Sequence, residues 1–240
     1  MIVMKKSYLL LAVLAVAACQ PRQDNKPSDA RSFGLLGDVK EVYLTQTTLS
    51  STNEAYEVSD EPGVERLEFT FDADGCITLD TFGDVYEYNE TGEFLRGDSE
   101  YTELERDEQG RLVSYDNTNL EWDEIDDFDI EHFFAYTFGY DDSHRVITEE
   151  LSGWEWMETY EYTYDGDKVY PASATYNGDA EGWIEEGEIR FEYTAFDAMG
   201  NWTERTKTVT TKGYEFDDEE NATTWTDVVK QVRRFTYWSK

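Results

Sequence analysis

A short unit repeats along this chain, and it constrains the fold more than any other feature. Each copy has alternating aromatic residues, then an Asp or Asn, about two turn residues, a Gly, and a second extended run. The clearest copies are Phe69-Thr70-Phe71-Asp72-Ala73-Asp74-Gly75-Cys76-Ile77 and Tyr86-Glu87-Tyr88-Asn89-Glu90-Thr91-Gly92-Glu93-Phe94. Further copies run from Leu104 to Val113 around Asp107, from Tyr136 to Val146 around Asp141, from Tyr160 to Val169 around Asp165, and from Phe191 to Trp202 around Asp197. Aromatics at every second position place large side chains on one face of a strand, with Glu and Thr on the other. The Asp can bond its own turn backbone and the Gly supplies positive φ, so each copy reads as a hairpin turn.

Two departures from the unit carry their own expectations. His144 stands where most copies have Gly; histidine tolerates the left-handed region better than most residues, so a turn role is expected. Between Tyr193 and Phe196 there is one residue more than between Tyr162 and Tyr164, which predicts a β-bulge. The anchors at 72, 89 and 107 lie 17 and 18 residues apart, about one hairpin each. The acidic stretches Glu121–Asp129, Asp179–Gly187 and Asp217–Asn221 read as loops, Val39–Leu44 reads as a first strand, and no segment has helical periodicity over a helix's length. The expected fold is all-β: an antiparallel meander of about ten to fourteen strands, built of repeated hairpins and strongly twisted. Its aromatic face must be buried, so the sheet should curl into an open barrel or form two packed layers; the residues leave those two open.

The N-terminus has a different chemistry. Lys5-Lys6 precedes an apolar run from Tyr8 to Ala18 that ends at Cys19. A basic start, a short apolar run and small residues at its end make a secretory signal. The run is shorter than the roughly 20 residues that cross a bilayer. Val16-Ala17-Ala18-Cys19 resembles the lipobox of bacterial lipoproteins. That resemblance implies cleavage before Cys19 and two or three acyl chains on it, enough for stable anchoring. Gln20, rather than the aspartate of an inner-membrane retention signal, points to the outer membrane. The chain then divides into a signal at 1–18, a lipidated N-terminus and polar tether at 19–33, and a β domain at 34–240. Removing 18 residues from 240 leaves 222, enough for one sizeable domain or two small ones. With Cys19 acylated, Cys76 has no intramolecular disulfide partner, so a packed core must supply stability.

Composition excludes one class of partner. The formal charge of -34 becomes -36 once Lys5 and Lys6 leave with the signal. Such a chain repels nucleic acid and anionic head groups, so membrane affinity is assigned to the anchor.

The motif of an aromatic, one residue, Tyr-Asp, two residues and Gly-Arg-Leu resembles the YD repeats of Rhs-type proteins. The whole layout is similar to the YD-repeat-like lipoproteins of Bacteroidetes. It shares their opening, as Gly37-Asp38-Val39-Lys40-Glu41-Val42. It also shares their late motif, as Asp197-Ala198-Met199-Gly200-Asn201-Trp202-Thr203-Glu204-Arg205, and their terminal strand, as Arg233-Arg234-Phe235-Thr236-Tyr237-Trp238. The resemblance implies a β-rich repeat fold and no established activity.

Candidate sites are few. Asp72-Ala73-Asp74-Gly75 resembles the opening of a calcium loop, but position twelve, where such a loop needs Glu, is Gly83. Asp72, Asp74, Asp165 and Asp167 are therefore weak calcium candidates and stronger turn formers. A hydrolase needs only two carboxylates at a set separation, yet 54 acidic residues single out no pair. His132 and His144 lack ligand spacing, Cys76 suits a strand, and no nucleophile motif or cofactor signature occurs, so a non-catalytic domain is expected. Tryptophans carry the most active functional reading. Trp154 and Trp156 share a strand face, and Trp122, Trp183 and Trp225 lie in or beside acidic stretches. Such rings could stack on the sugars of a glycan or on a protein at the cell envelope, unless they simply belong to the aromatic core. A structural role as a spacer or subunit of an envelope assembly is the alternative.

Overall fold

The computed structural model describes residues 28–53, 63–80, 85–90, 94–97, 103–119, 132–153, 156–216 and 218–239. Its strands are β1 (Val39–Ser51), β2 (Glu65–Phe71), β3 (Ile77–Leu79), β4 (Glu87–Tyr88), β5 (Phe94–Arg96), β6 (Glu103–Arg106), β7 (Leu112–Asn119), β8 (His132–Tyr140), β9 (Val146–Gly153), β10 (Trp156–Thr163), β11 (Ser173–Ala180), β12 (Trp183–Phe196), β13 (Trp202–Glu215) and β14 (Thr223–Tyr237). Ahead of them stands one helical turn, α1 (Asp29–Ser32).

The architecture is all-β, as the repeat requires. Twelve strands form one antiparallel sheet in the order β3-β2-β1-β14-β13-β12-β11-β10-β9-β8-β7-β6, and β4 and β5 pair separately. The sheet is not closed into a barrel. Its meander runs between sequence neighbours from β6 to β14, and the first strand then pairs with the last, Val39 opposite Tyr237 and Ser51 opposite Asp227.

The Asp-anchored turns recur at one end of this meander and share one mechanism. Asp72 Oδ1 accepts from the backbone N–H groups of Asp74 and Cys76, and Asp107 does the same from Gln109 and Arg111. Asp141 repeats it with Ser143 and Arg145, and Asp197 with Met199 and Asn201. The third residue after each Asp has positive φ: Gly75 at 88°, Gly110 at 75°, His144 at 63° and Gly200 at 93°. The fourth residue extends the device. Arg111 pairs with Asp107 and stacks over Tyr140, 4.4 Å from the ring centre; Arg145 pairs with Asp141 and stacks over Tyr164 at 4.4 Å. Each of these arginines thus ties its own turn to a tyrosine of the following repeat.

His144 in the left-handed region costs about 1–2 kcal/mol relative to glycine, which itself loses about 0.5–1 kcal/mol of chain entropy on folding. His144→Gly is therefore expected to stabilise the domain by about 0.5–1 kcal/mol in urea denaturation. A destabilised variant would instead show that the contact of His144 Nδ1 with Arg111 outweighs the backbone term.

The bulge expected between Tyr193 and Phe196 is present, as register shifts against β13 on both sides of Ala195. Two other expectations need correction. Asp179–Gly187 is not a loop: β11 and β12 run through it and turn only at Glu181-Gly182, both at positive φ. Acidic residues are tolerated there because alternate positions face solvent. The polar tether also ends earlier than residue 33. Asp29, Ala30 and Ser32 are buried, with Ala30 donating to Gly75 O and Leu112 donating to Ser32 Oγ.

That N-terminal segment closes the turn end of the sheet. Asp29 accepts from Ile77 N at the β3 edge (2.8 Å) and from Arg106 Nη2 at the β6 edge (2.7 and 2.8 Å). One carboxylate therefore bridges the two edges that would have to pair in a closed barrel. Leu36 extends the clasp: its N–H donates to Asn201 Oδ1, and its carbonyl accepts from Asn201 Nδ2. Tyr86, between β3 and β4, donates its backbone N–H to Thr78 and packs its ring edge-on to Tyr115, 6.2 Å away. The main core gathers here, around Leu35, Val39, Val42, Phe71, Ile77, Leu112 and Tyr115. A second cluster, Ala174, Tyr176 and Ile189, lies farther along the same face.

Candidate functional site

Alternation along the strands puts one set of residues on the concave face. Directly paired residues of antiparallel strands share a face, so the register assigns it. From β10 to β14 the face carries Trp156, Glu158, Tyr160 and Tyr162; Ala174 and Tyr176; Trp183, Glu185, Gly187, Ile189 and Phe191; Arg205, Lys207, Val209, Thr211 and Gly213; and Trp225, Asp227, Val229, Gln231 and Arg233.

Three of the five tryptophans singled out from the sequence converge at the end of this face opposite the Asp turns. Each ring there lies over a glycine. A Cβ on Gly153 would come within 2.2 Å of Trp156, its direct cross-strand partner. One on Gly187 would meet Tyr176 at 2.0 Å, again its partner. One on Gly213 would lie 2.7 Å from both Trp183 and Trp225. A ring seated on glycine lies along the sheet instead of standing off it, an arrangement that also compensates for the missing side chain. Trp183 and Trp225 are thus neighbours across β13, each half-buried. Polar groups sit among the rings: the Glu185 carboxylate accepts from Trp183 Nε1 (3.1 Å) and Tyr176 OH (3.5 Å). Tyr160 OH donates to Glu158 at 2.6 Å. Trp122, Trp154 and Cys19 lie outside the described residues.

Toward the turn end the same face walls a cavity of about 990 Å³, within the usual range of small-molecule sites. Phe69, Tyr136, Phe138, Tyr162, Phe191 and Trp202 line it, and residues 31–38 form its roof. Charged groups enter this wall. Arg233 is held by both oxygens of Glu68. Glu149 accepts from Tyr162 OH at 2.7 Å, and burial pushes its carboxyl above the ordinary range. Arg205 packs against Trp202 (4.2 Å to the ring centre) and Phe191 (4.5 Å). Burial, together with the neighbouring Arg233, pulls its guanidinium down to about 10. Sequence reading passed over Arg205 because a basic residue in an alternating strand ordinarily faces solvent; the late Asp-to-Arg motif was the one signal that marked it.

Two of the four calcium candidates are engaged within their own turns. Asp72 is engaged by its own loop backbone, and Asp165 by Lys168 Nζ at 3.0 Å. Asp74 and Asp167 are exposed. Among the described residues no three His, Cys, Asp or Glu side chains gather to hold a metal. Cys76 is fully buried, and burial pushes its thiol up to about 12, which suits packing better than nucleophilic attack. His132 lies in β8 and His144 in a turn, in separate positions.

No helix among the described residues is long and apolar enough to cross a membrane. No protein-family model matches the chain, and no curated protein matches it.

Proposed function

We propose that this protein is a lipid-anchored binding protein of the bacterial cell envelope, related to the YD-repeat-like lipoproteins, whose concave face takes a glycan without catalysing its breakdown. The observation that carries this reading is the row of half-buried Trp156, Trp183 and Trp225, seated on glycines along one face with Glu185 and the buried Tyr176 among them. Flat aromatic surfaces suit the apolar faces of sugar rings, and interleaved carboxylates suit their hydroxyls. With Glu158, Glu185 and Asp227 on the same face, the matching ligand is a neutral or amino sugar rather than an acidic one. The carboxylates of Glu158 and Glu185 are held by tyrosine and tryptophan donors, an arrangement that favours recognition over acid–base work.

A panel of neutral and amino oligosaccharides titrated against tryptophan fluorescence tests the reading. A binder should emerge whose affinity falls at least tenfold, about 1.4 kcal/mol, when Trp183 and Trp225 are both replaced by alanine in a protein that still melts cooperatively. Silence across the panel, or unchanged affinity in that variant, would remove the glycan assignment. The anchor has its own test. Cys19→Ser should move the protein from the membrane to the soluble fraction of cells, and persistence in the membrane would overturn the lipoprotein assignment.

A further inference from the structure

We propose that the cavity at the turn end of the concave face is a second, separate site, which takes a carboxylate carried on an aromatic or apolar body and receives it on Arg205. It stands on different residues from the tryptophan row and does not depend on that row binding a glycan.

The argument begins with charge. Acidic residues outnumber basic ones 54 to 20 in this chain, so a carboxylate is close to most cations. Around the cavity Arg145 has Asp141 and Arg233 has Glu68. Arg205 has no carboxylate within ion-pair distance among the described residues; Gln231 and Tyr193 are its polar partners. Lys207, two positions along the same face, is also without an ion pair among the described residues, and burial and Arg205 together pull its ammonium down. Glu158 and Glu149 act on Lys207 and Glu68 acts on Arg205, but none of these carboxylates lies within ion-pair distance among the described residues, whereas a buried cation ordinarily has a contacting partner.

Geometry shows where that partner would sit. Arg205 Nε donates to Gln231 Oε1 at 2.6 Å, and Nη1 reaches Tyr193 OH only at 3.5 Å. Nη2 has no acceptor among the described residues, and the side chain lines the cavity. The ring contacts with Trp202 and Phe191 hold the guanidinium in place, leaving Nη2, with the weakly engaged Nη1 beside it, to meet a carboxylate. Glu149, the other acid deep in the wall, is occupied by Tyr162 OH. Beside charged and polar residues such as Arg31, Asp38 and Asp167, the wall carries many aromatic rings, which selects a ligand with an apolar body over a small inorganic anion.

Calorimetric titration of the purified mature protein with 1-naphthaleneacetate and its uncharged isostere 1-naphthaleneacetamide tests this. The acid should bind at least tenfold more tightly than the amide. Arg205→Gln should reduce that preference to less than twofold, while the Trp183→Ala/Trp225→Ala variant should leave it unchanged. Equal binding of acid and amide, binding of neither, or a preference that persists in folded Arg205→Gln would each overturn the proposal. Should Arg205→Gln fail to fold, NMR contacts between the naphthyl protons and the Phe191 and Trp202 rings in the unaltered protein decide it. Their presence supports the site and their absence removes it. A preference lost only with the tryptophan pair would transfer the anion to the glycan row and refute the Arg205 site alone.

Discussion

Asp29→Ala is expected to lower the unfolding free energy by about 3–5 kcal/mol, the usual cost of removing one member of a buried ion pair. The Asp29 side chain is 0% exposed and that of Arg106 is 14% exposed. Burial raises the carboxyl above its ordinary range, and the guanidinium draws it part of the way back. Without Asp29, Ile77 N–H and Arg106 Nη2 lose their acceptor together. Arg106 Nε is already buried with no partner among the described residues, so the stranded guanidinium would have little left to offset its desolvation. The loss also has a topological side, because Asp29 joins the β3 and β6 edges of the open sheet. Chemical denaturation reads the effect. A change below about 1 kcal/mol would show that the clasp contributes little and that the edges are held by the aromatic core. The double variant Asp29→Ala/Arg106→Met should recover part of the loss, since two apolar side chains leave no buried charge behind.

Trp202→Ala is expected to cost as much or more, about 5 kcal/mol, at the upper end of the range for deleting a buried aromatic. Its indole is 2% exposed, and the guanidiniums of Arg205 and Arg233 lie 4.2 and 4.3 Å from the ring centre. Removing the ring leaves a large void, forfeits two cation–π contacts of about 0.5–2 kcal/mol each, and lets two like charges see one another across it. For a domain of this size that corresponds to a melting temperature lower by roughly 10–20 °C. Trp202→Phe, which keeps an aromatic face between the arginines, should lose much less. Equal losses in the two variants would assign the whole effect to volume and none to the stacked charges.

Local features were legible because their physics is local. The turn needs an Asp, an N–H two and four residues on, and positive φ at the third; all of that lies within five residues, so spacing alone revealed it. His144 and the Tyr193–Phe196 bulge could be read for the same reason. Misreadings came where composition imitates a loop. Asp179–Gly187 is acidic with two glycines, yet Gly187 is the cross-strand seat of Tyr176, Glu185 is held among the rings, and Asp179, Glu181 and Glu186 face solvent. Ser28–Ser32 looked like tether because its polar side chains have no periodicity; their partners lie far along the chain, Ile77 for Asp29 and Leu112 for Ser32.

The candidate sites divide in the same way. Sequence singled out the tryptophans as residues but had no means of grouping them, since Trp156, Trp183 and Trp225 meet only through the register of β10 to β14. Arg205 gave no sign of being interior, because which face of a strand turns inward is fixed by how the sheet curls. By itself, then, the sequence determined the strands, their turns and their alternation, all properties of neighbouring residues. Only the tertiary structure decided that the first strand joins the last, that one carboxylate clasps two free edges, and that the concave face holds a tryptophan row at one end and, at the other, a guanidinium with no ion-pair partner among the described residues. Those outcomes depend on pairs far apart in the chain, Asp29 with Ile77 and Arg106 at separations of 48 and 77 and Leu36 with Asn201 at 165, whose energies are gained only after the sheet between them has formed.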